Sequence, residues 1–202
     1  MKVMNQGNFI SLFEQWREVI NKRLDELFPS IDVEPSSLHR AMRYSTLNGG
    51  KRIRGILCLS FHRLFGDRYP QAALDAACAI EMLHAYTLIH DDLPALDDDD
   101  VRRGKPSCHV KFGEAVAILA GDALQALSFE VLSKLELPDA QKIKAIYLLA
   151  RTAGSLFLVG GQVADIENEN VTPDEYMVNF IHSKKTAELI ASSMSLGAIV
   201  AG

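Results

Sequence analysis

Apolar residues recur at three- and four-residue intervals through nearly every long segment of this chain, and no stretch alternates convincingly as a strand. Phe9, Leu12, Phe13, Trp16, Val19, Ile20, Leu24 and Leu27 form the stripe of an amphipathic first helix that Pro29 ends. Ser36-Ser37 offer a cap for a second helix running to about Leu47 and closed by Asn48-Gly49-Gly50. A third helix is expected from about Lys51 to Phe65, stopping near Gly66. A fourth, from about Pro70 to Ile89, is apolar almost all round and therefore central and buried. Helices over about Glu114–Leu135, Asp139–Glu167 and Pro173–Ala201 complete the set, the last breaking near Ser183, with Pro138 and Asn168–Pro173 as boundaries. The pattern predicts an all-α bundle around one or two central helices, in a single domain without repeats or an interdomain linker.

Chemistry enters where the fourth helix ends. Between Asp91 and Asp100 stand six aspartates in ten residues, followed at once by Arg102-Arg103-Gly104-Lys105-Pro106. Carboxylates so crowded repel one another unless cations sit among them. Mg²⁺ takes hard oxygen ligands, one or two from carboxylates and the rest from water and substrate phosphates, and the arginines and lysine that follow suit the same phosphates. An acidic solvated loop is the plainer alternative, but Asp91 and Asp92 extend an apolar helix and the charge reverses within a few residues. The spacing of a calcium-binding EF-hand is absent. The segment reads as a metal-assisted phosphate or diphosphate site.

Other groups can meet it. Gly49-Gly50-Lys51-Arg52-Ile53-Arg54 opens a helix with two glycines and three cations, with Lys51 and Arg54 three residues apart on one face. His84 lies two helical turns before Asp91 on one stripe, with Thr87 and Leu88 between them. Gln162 and Asp165 share a face after Gly160-Gly161, where small residues permit close packing or ligand approach. Lys184-Lys185-Thr186 adds cations and a hydroxyl near the last helix. Ordinary surface or core positions explain each of these when taken alone.

Composition narrows the classes. The chain has 202 residues, 48% apolar and 23% charged, as in a soluble globular domain. A net charge of −5 without a basic cluster argues against a nucleic-acid partner. Three separated cysteines, Cys58, Cys78 and Cys108, form neither a zinc nor a disulfide framework, which fits a reducing cytoplasm. Met1–Trp16 lacks the apolar core of a signal peptide, and Leu189–Ala201 is too short and too serine-rich to span a bilayer, so no stable membrane insertion is expected.

Taken together, Gly49 to Arg54, His84 to Asp92, Asp97 to Pro106, Phe112-Gly113-Glu114, Leu119 to Leu124, Gly160-Gly161-Gln162 and Lys185-Thr186 resemble the trans-prenyl diphosphate synthases, in particular their bacterial farnesyl diphosphate synthase branch. The resemblance covers nearly the whole chain. It implies the isoprenoid synthase helical bundle and an enzyme that joins an allylic diphosphate to isopentenyl diphosphate with Mg²⁺, usually as a homodimer. On this resemblance Asp91 and Asp97, with Asp92 beside them, would carry metal. Arg102 and Lys185 would hold the allylic diphosphate, with Thr186 and Gln162 lining that side. Lys51, Arg54, His84 and Arg103 would hold isopentenyl diphosphate. The four-residue spacer Leu93–Leu96 resembles the bacterial form. Tyr86, five residues before Asp91, matches the aromatic that closes the product cavity at C15, with Thr87 next to it. The family's second aspartate-rich motif does not occur before Gly202. The chain is therefore expected to lack the C-terminal helices of the bundle and to bind metal and diphosphate while turning over poorly. Two rivals remain: a non-catalytic regulatory relative, and a metal-dependent helical phosphohydrolase built on His90-Asp91 with His39, His62, His84 or His109.

Overall fold

A computed structural model describes residues 6–169, 171–172 and 174–202, with side chains from residue 10 onward. Phe9's place on the first stripe and the start of a helix at Pro173 lie outside what is described. The bundle expected from the periodicity is present. Its helices are α1 (Gln6–Leu27), α2 (Ser36–Leu47), α3 (Ile53–Phe65), α4 (Pro70–Asp91), α5 (Cys108–Phe112), α6 (Glu114–Ser133), α7 (Asp139–Ala153), α8 (Leu158–Glu167), α9 (Glu175–Ile181) and α10 (Glu188–Ala201).

Helix α4 is the axis. Its alanines and Cys78, Ile80, Met82 and Leu83 are buried on all sides, and α1, α2, α3, α6 and α10 pack around it. Small side chains let neighbours approach closely, while the larger ones fill the spaces between them. The segments Pro70–Asp91, Glu114–Ser133 and Asp139–Glu167 are long and apolar enough to cross a membrane by composition, but 78% of the first window is buried inside the bundle, so its apolarity is that of a core helix. Helix α10 lies against α3 at Gly197, where a Cβ would come within 2.1 Å of the Cys58 carbonyl oxygen.

The elements depart from expectation in five places. Val101–Arg102 (β1) and Lys105–Pro106 (β2) form an antiparallel ribbon, whose turn residues Arg103 (φ 54°) and Gly104 (φ 74°) are both left-handed, as a type I′ hairpin turn requires. Strands of two residues are too short for alternation to be seen. Helix α3 starts at Ile53 because Arg52 is left-handed (φ 54°), so Lys51 lies outside it. Ser36 is the first residue of α2, not a side-chain cap. The long helix expected over Asp139–Glu167 divides at an elbow, Gly154–Phe157, into α7 and α8. The last segment does not break at Ser183. It widens through a π-wound turn, His182–Ala187, which joins α9 to α10. Asp174 caps α9 by accepting from the Met177 N–H at 2.8 Å.

Gly197→Ala is expected to lower stability by roughly 2–3 kcal/mol, because the added methyl meets backbone that cannot yield. An exposed helical glycine would instead gain about 1 kcal/mol from the same change. Urea unfolding followed by circular dichroism distinguishes loss from gain.

Candidate active site

The acidic wall is built by the end of α4. Asp91 is its last residue, and the chain then turns back on itself. The Leu93 N–H reaches the His90 carbonyl at 3.0 Å, and the Asp97 N–H donates to the Asp91 carbonyl at 2.8 Å. The four-residue spacer therefore brings Asp97 beside Asp91. Burial, opposed by Lys185 and reinforced by the charges of Asp97 and Asp92, pushes the Asp91 carboxyl up to about 6.

Asp92 is different. It is only 2% exposed, and Arg102 Nε donates to its two oxygens at 2.9 and 3.2 Å. Arg102 Nη2 bonds Asp92 as well and reaches Asp99 Oδ2 at 3.1 Å. Its bond to Asp92 raises the Arg102 guanidinium further above its ordinary value. The structure thus commits Asp92 to anchoring the β1–β2 hairpin, and Arg102 to that anchor.

Lys185 faces the acidic wall from the π-wound turn, 2.6 Å from Asp165 Oδ2 and 4.0 Å from Asp97 Oδ2. Desolvation works against its charge, but the bond to Asp165 and the charges of Asp97 and Asp91 prevail and hold it raised. On α8, both amide atoms of Gln162 are buried without a protein partner. Thr186 is exposed on the same turn.

The basic wall gathers around the start of α3. Arg52 is buried, and its guanidinium donates to Asn21 Oδ1 at 2.7 Å and to the Thr46 carbonyl at 2.6 Å. It also lies 3.5 Å from Glu81 Oε2. Glu81 Oε1 in turn accepts the Gly55 N–H at 2.9 Å. Arg54 Nε is buried without a partner, and burial lowers its guanidinium against the pull of Glu81. Arg103, at the tip of the hairpin, donates to the Gly49 carbonyl at 2.6 Å. A Cβ on Gly50 would sit 3.0 Å from the Arg103 Cζ, so the paired glycines, both left-handed, make room for this side chain. His84 is pushed down to about 3, first by burial and then by Arg54, Arg103, Arg52 and Arg102, and is neutral at ordinary pH. Lys51 is exposed beside this group.

Deeper along α4, Thr87 Oγ1 donates to the His84 carbonyl at 2.8 Å. Tyr86, buried, meets the His90 ring edge-on at 5.2 Å. His90 is wedged against α6, its Nε2 3.1 Å from the Ile118 carbonyl, where a Cβ on Gly121 would overlap the imidazole.

Glu81 escaped the sequence-based site, while Arg52 and Asp165 were named beside Lys51 and Gln162 without a role. Glu81 carried a signal: it is an acid flanked by Ala79-Ile80 and Met82-Leu83 in the middle of a mostly apolar helix, and such a charge demands a partner. The histidines of the phosphohydrolase rival do not assemble. His39 bonds the Val33 carbonyl, His62 faces Asp67 and His109 bonds Ser107, each away from Asp91.

Among the described residues no three His, Cys, Asp or Glu side chains are placed to hold a metal. The Asp91–Asp97 pair nevertheless fits Mg²⁺, because it offers two hard oxygen donors whose mutual repulsion a cation would relieve, with phosphate left to fill the shell.

An acidic cluster and a basic cluster, linked by the Arg102 hairpin, sit on a helical bundle of the isoprenoid synthase fold. The polyprenyl synthetase family model matches residues 35–202, and the chain belongs to that family, the trans-prenyl diphosphate synthases. It is 45% identical over 188 residues to geranylgeranyl pyrophosphate synthase 4 of Arabidopsis thaliana, covering 92% of this chain and 50% of that protein. It is 45% identical over 171 residues to the farnesyl diphosphate synthase of Geobacillus stearothermophilus, covering 83% and 57%. The chain thus spans about half the length of these curated relatives. A solved FPP/GFPP synthase from Zymomonas mobilis superposes with a TM-score of 0.90 at 38% identity, covering 96% of this chain and 71% of that one.

Asp91 sets a pH dependence. A carboxyl raised when folded favours its protonated form, so it costs no stability below the ordinary carboxylate range and its full penalty above about pH 6. Asp91→Asn is expected to stabilise the metal-free chain by about 1–2 kcal/mol at pH 7.5, after allowance for partial exposure, and by nothing near pH 3.5. Urea melts at the two pH values with a chelator present test it.

Proposed function

We propose that this chain takes part in trans-prenyl transfer, with an allylic diphosphate, dimethylallyl or geranyl, condensing with isopentenyl diphosphate to give farnesyl diphosphate. The observation that carries the reading is the coupling of Asp91, Asp97 and Lys185 on one side, and of Arg54, Arg103 and neutral His84 on the other, to the shared Arg102 hairpin. Mg²⁺ held by Asp91 and Asp97 would draw charge onto the allylic diphosphate and make it a better leaving group.

Lys185 meets that diphosphate, and Gln162 and Thr186 line its side; Gln162 brings an amide with donors and an acceptor to spare. Arg102 adds positive charge nearby while holding the hairpin through Asp92. Lys51, Arg54 and Arg103 hold the isopentenyl diphosphate, where a guanidinium fork matches phosphate oxygens. His84, neutral, adds a ring N–H donor without competing for a cation's place. As the allylic carbon–oxygen bond breaks, charge grows on the departing diphosphate, so fixed cations aimed there favour the transition state over the ground state. The isopentenyl double bond attacks the allylic cation, and the departing diphosphate takes the lost proton. The apolar face of α4 keeps water from the cation.

Tyr86, buried and braced by His90, supports C15 as the product length. The named relatives include both farnesyl and geranylgeranyl synthases. Exposed Ile118 and Leu119 on α6 and Ile143 and Tyr147 on α7 supply apolar faces for a second copy and support a homodimer. A net charge of −5 supports the absence of a nucleic-acid partner, and the use of α4's apolar surface within the bundle supports a cytoplasmic protein without stable membrane insertion.

Incubation with geranyl diphosphate, labelled isopentenyl diphosphate and Mg²⁺, followed by lipid analysis, tests the reading. A C15 product supports it. Mg²⁺-dependent binding of both substrates without product reduces it to a binding role, and no Mg²⁺-dependent binding refutes it. Arg103→Lys is expected to weaken isopentenyl diphosphate by roughly tenfold, about 1.4 kcal/mol, and the allylic substrate much less. Calorimetric titration of each substrate separates the two, and equal losses would overturn the division of roles. Tyr86→Ala is expected to shift product toward C20 where turnover occurs, and unchanged C15 would place the cavity floor elsewhere.

A further inference from the structure

Gly160-Gly161 and Lys184-Lys185 are separate in sequence, and the fold joins them. A Cβ on Gly160 would lie 2.0 Å from the Ser155 carbonyl oxygen of the elbow. A Cβ on Gly161 would lie 2.5 Å from the Lys185 backbone nitrogen and 2.8 Å from the Lys184 Cβ. Successive glycines therefore seat α8 between the α7–α8 elbow and the π-wound turn.

Phe157 stands at that elbow. Its buried ring has the Arg151 guanidinium 4.6 Å from its centroid and the Lys184 ammonium 4.4 Å from it. Both distances are within cation–π range. Arg151 comes from the last turn of α7 and Lys184 from the π-wound turn, so one ring ties the two together. Inserting one residue into a helical turn, which underwinds it, rotates everything that follows, and such bulges recur at functional sites. Lys184 and Lys185 are consecutive, so they leave the turn in different directions. With Lys184 held on Phe157, Lys185 points to Asp165 at 2.6 Å and Asp97 at 4.0 Å.

We propose that Phe157 is a positioning residue. Through Lys184 it fixes the π-wound turn and so aims the Lys185 ammonium at the acidic wall, where it meets the allylic diphosphate. The role toward substrate rests on the function proposed above, whereas the aiming of Lys185 does not.

Two variants test it on the whole chain: Phe157→Leu, which removes the π face, and Lys184→Met, which leaves the buried ring in place if the first variant fails to fold. Phe157→Trp serves as the conservative rescue. The ligand-free readout is the acetylation rate of Lys185, followed by mass spectrometry with exposed Lys51 as internal reference. Both variants are expected to speed Lys185 labelling roughly threefold or more, with Phe157→Trp close to the parent. An unchanged Lys185 rate in a folded variant overturns the proposal.

The second readout is affinity for dimethylallyl thiodiphosphate and for isopentenyl diphosphate, each with Mg²⁺. Phe157→Leu or Lys184→Met should weaken the former roughly tenfold, leave the latter within about twofold, and add nothing to Lys185→Ala. Equal losses for both ligands, or an undiminished loss without Lys185, would mark Phe157 as ordinary packing and overturn the positioning role. Faster Lys185 labelling in a chain whose parent binds no thiodiphosphate would count against the proposed function while upholding the aiming of Lys185.

Discussion

The buried contact between Arg52 and Glu81, each about 3% exposed, is the constraint on which the basic wall depends. Two charges removed from water are costly, and their attraction repays the cost only when the remaining donors and acceptors are satisfied. Here they are. Arg52 reaches Asn21 on α1 and Thr46 on α2, while Glu81 on α4 accepts the Gly55 N–H of α3, so four helices meet at one ion pair. The arrangement also holds Arg52 in a left-handed backbone, which costs an ordinary residue about 1–2 kcal/mol. That turn sets where α3 begins, and therefore which cation leaves the loop (Lys51) and which enters the first helical turn (Arg54). Gly49 and Gly50, just before it, receive the hairpin's Arg103.

The acidic side uses adjacent identical residues for opposite purposes. Asp91 and Asp92 differ by one position at the end of α4, and that step turns one carboxylate toward the open mouth and the other inward. Asp92 is neutralised by Arg102 and anchors the hairpin. Asp91 is largely buried, has no bonded cation partner among the described residues and sits near like charges, so its carboxyl rises to about 6. Repulsion at Asp91 is tolerable because α4, packed on all sides, supplies the stability that the site gives up.

Much of this was legible in the chain. The apolar stripes located the helices because burial must follow the helical period, and the uninterrupted apolarity of Pro70–Ile89 identified the central one. The aspartate cluster and the basic loop stood out because Asp91 and Asp92 extend an apolar helix and the charge reverses within a few residues. Other features depend on contacts that no local pattern encodes. The elbow at Gly154–Phe157 exists because Arg151, Phe157 and Lys184 come together from distant segments. The π-wound turn needs Gly161 beneath it. That Arg52 is structural while Arg54 is left unpaired follows from a left-handed dihedral, and Lys-Arg-Ile-Arg reads the same either way. The two-residue strands are too short to show a period at all.

Burial first, and the surrounding charges second, shift the titrating groups of the two walls. Near Arg52, Arg54, Arg102 and Arg103 an imidazole is driven down to about 3, while near Asp92 and Asp97 a carboxyl is driven up to about 6. Each group is shifted toward neutrality by burial and by the charges it faces, so neither wall is fully compensated within the described chain. A multiply charged anion carrying its own divalent cation answers both walls at once, with phosphate oxygens toward the guanidinium groups and the cation toward the aspartates. A bare anion would leave the aspartates uncompensated and a bare cation would leave the arginines so. On the function proposed above, the site would select for the metal–diphosphate pair rather than for either partner, and the selectivity would arise from two only partly neutralised charge clusters held apart on packed helices.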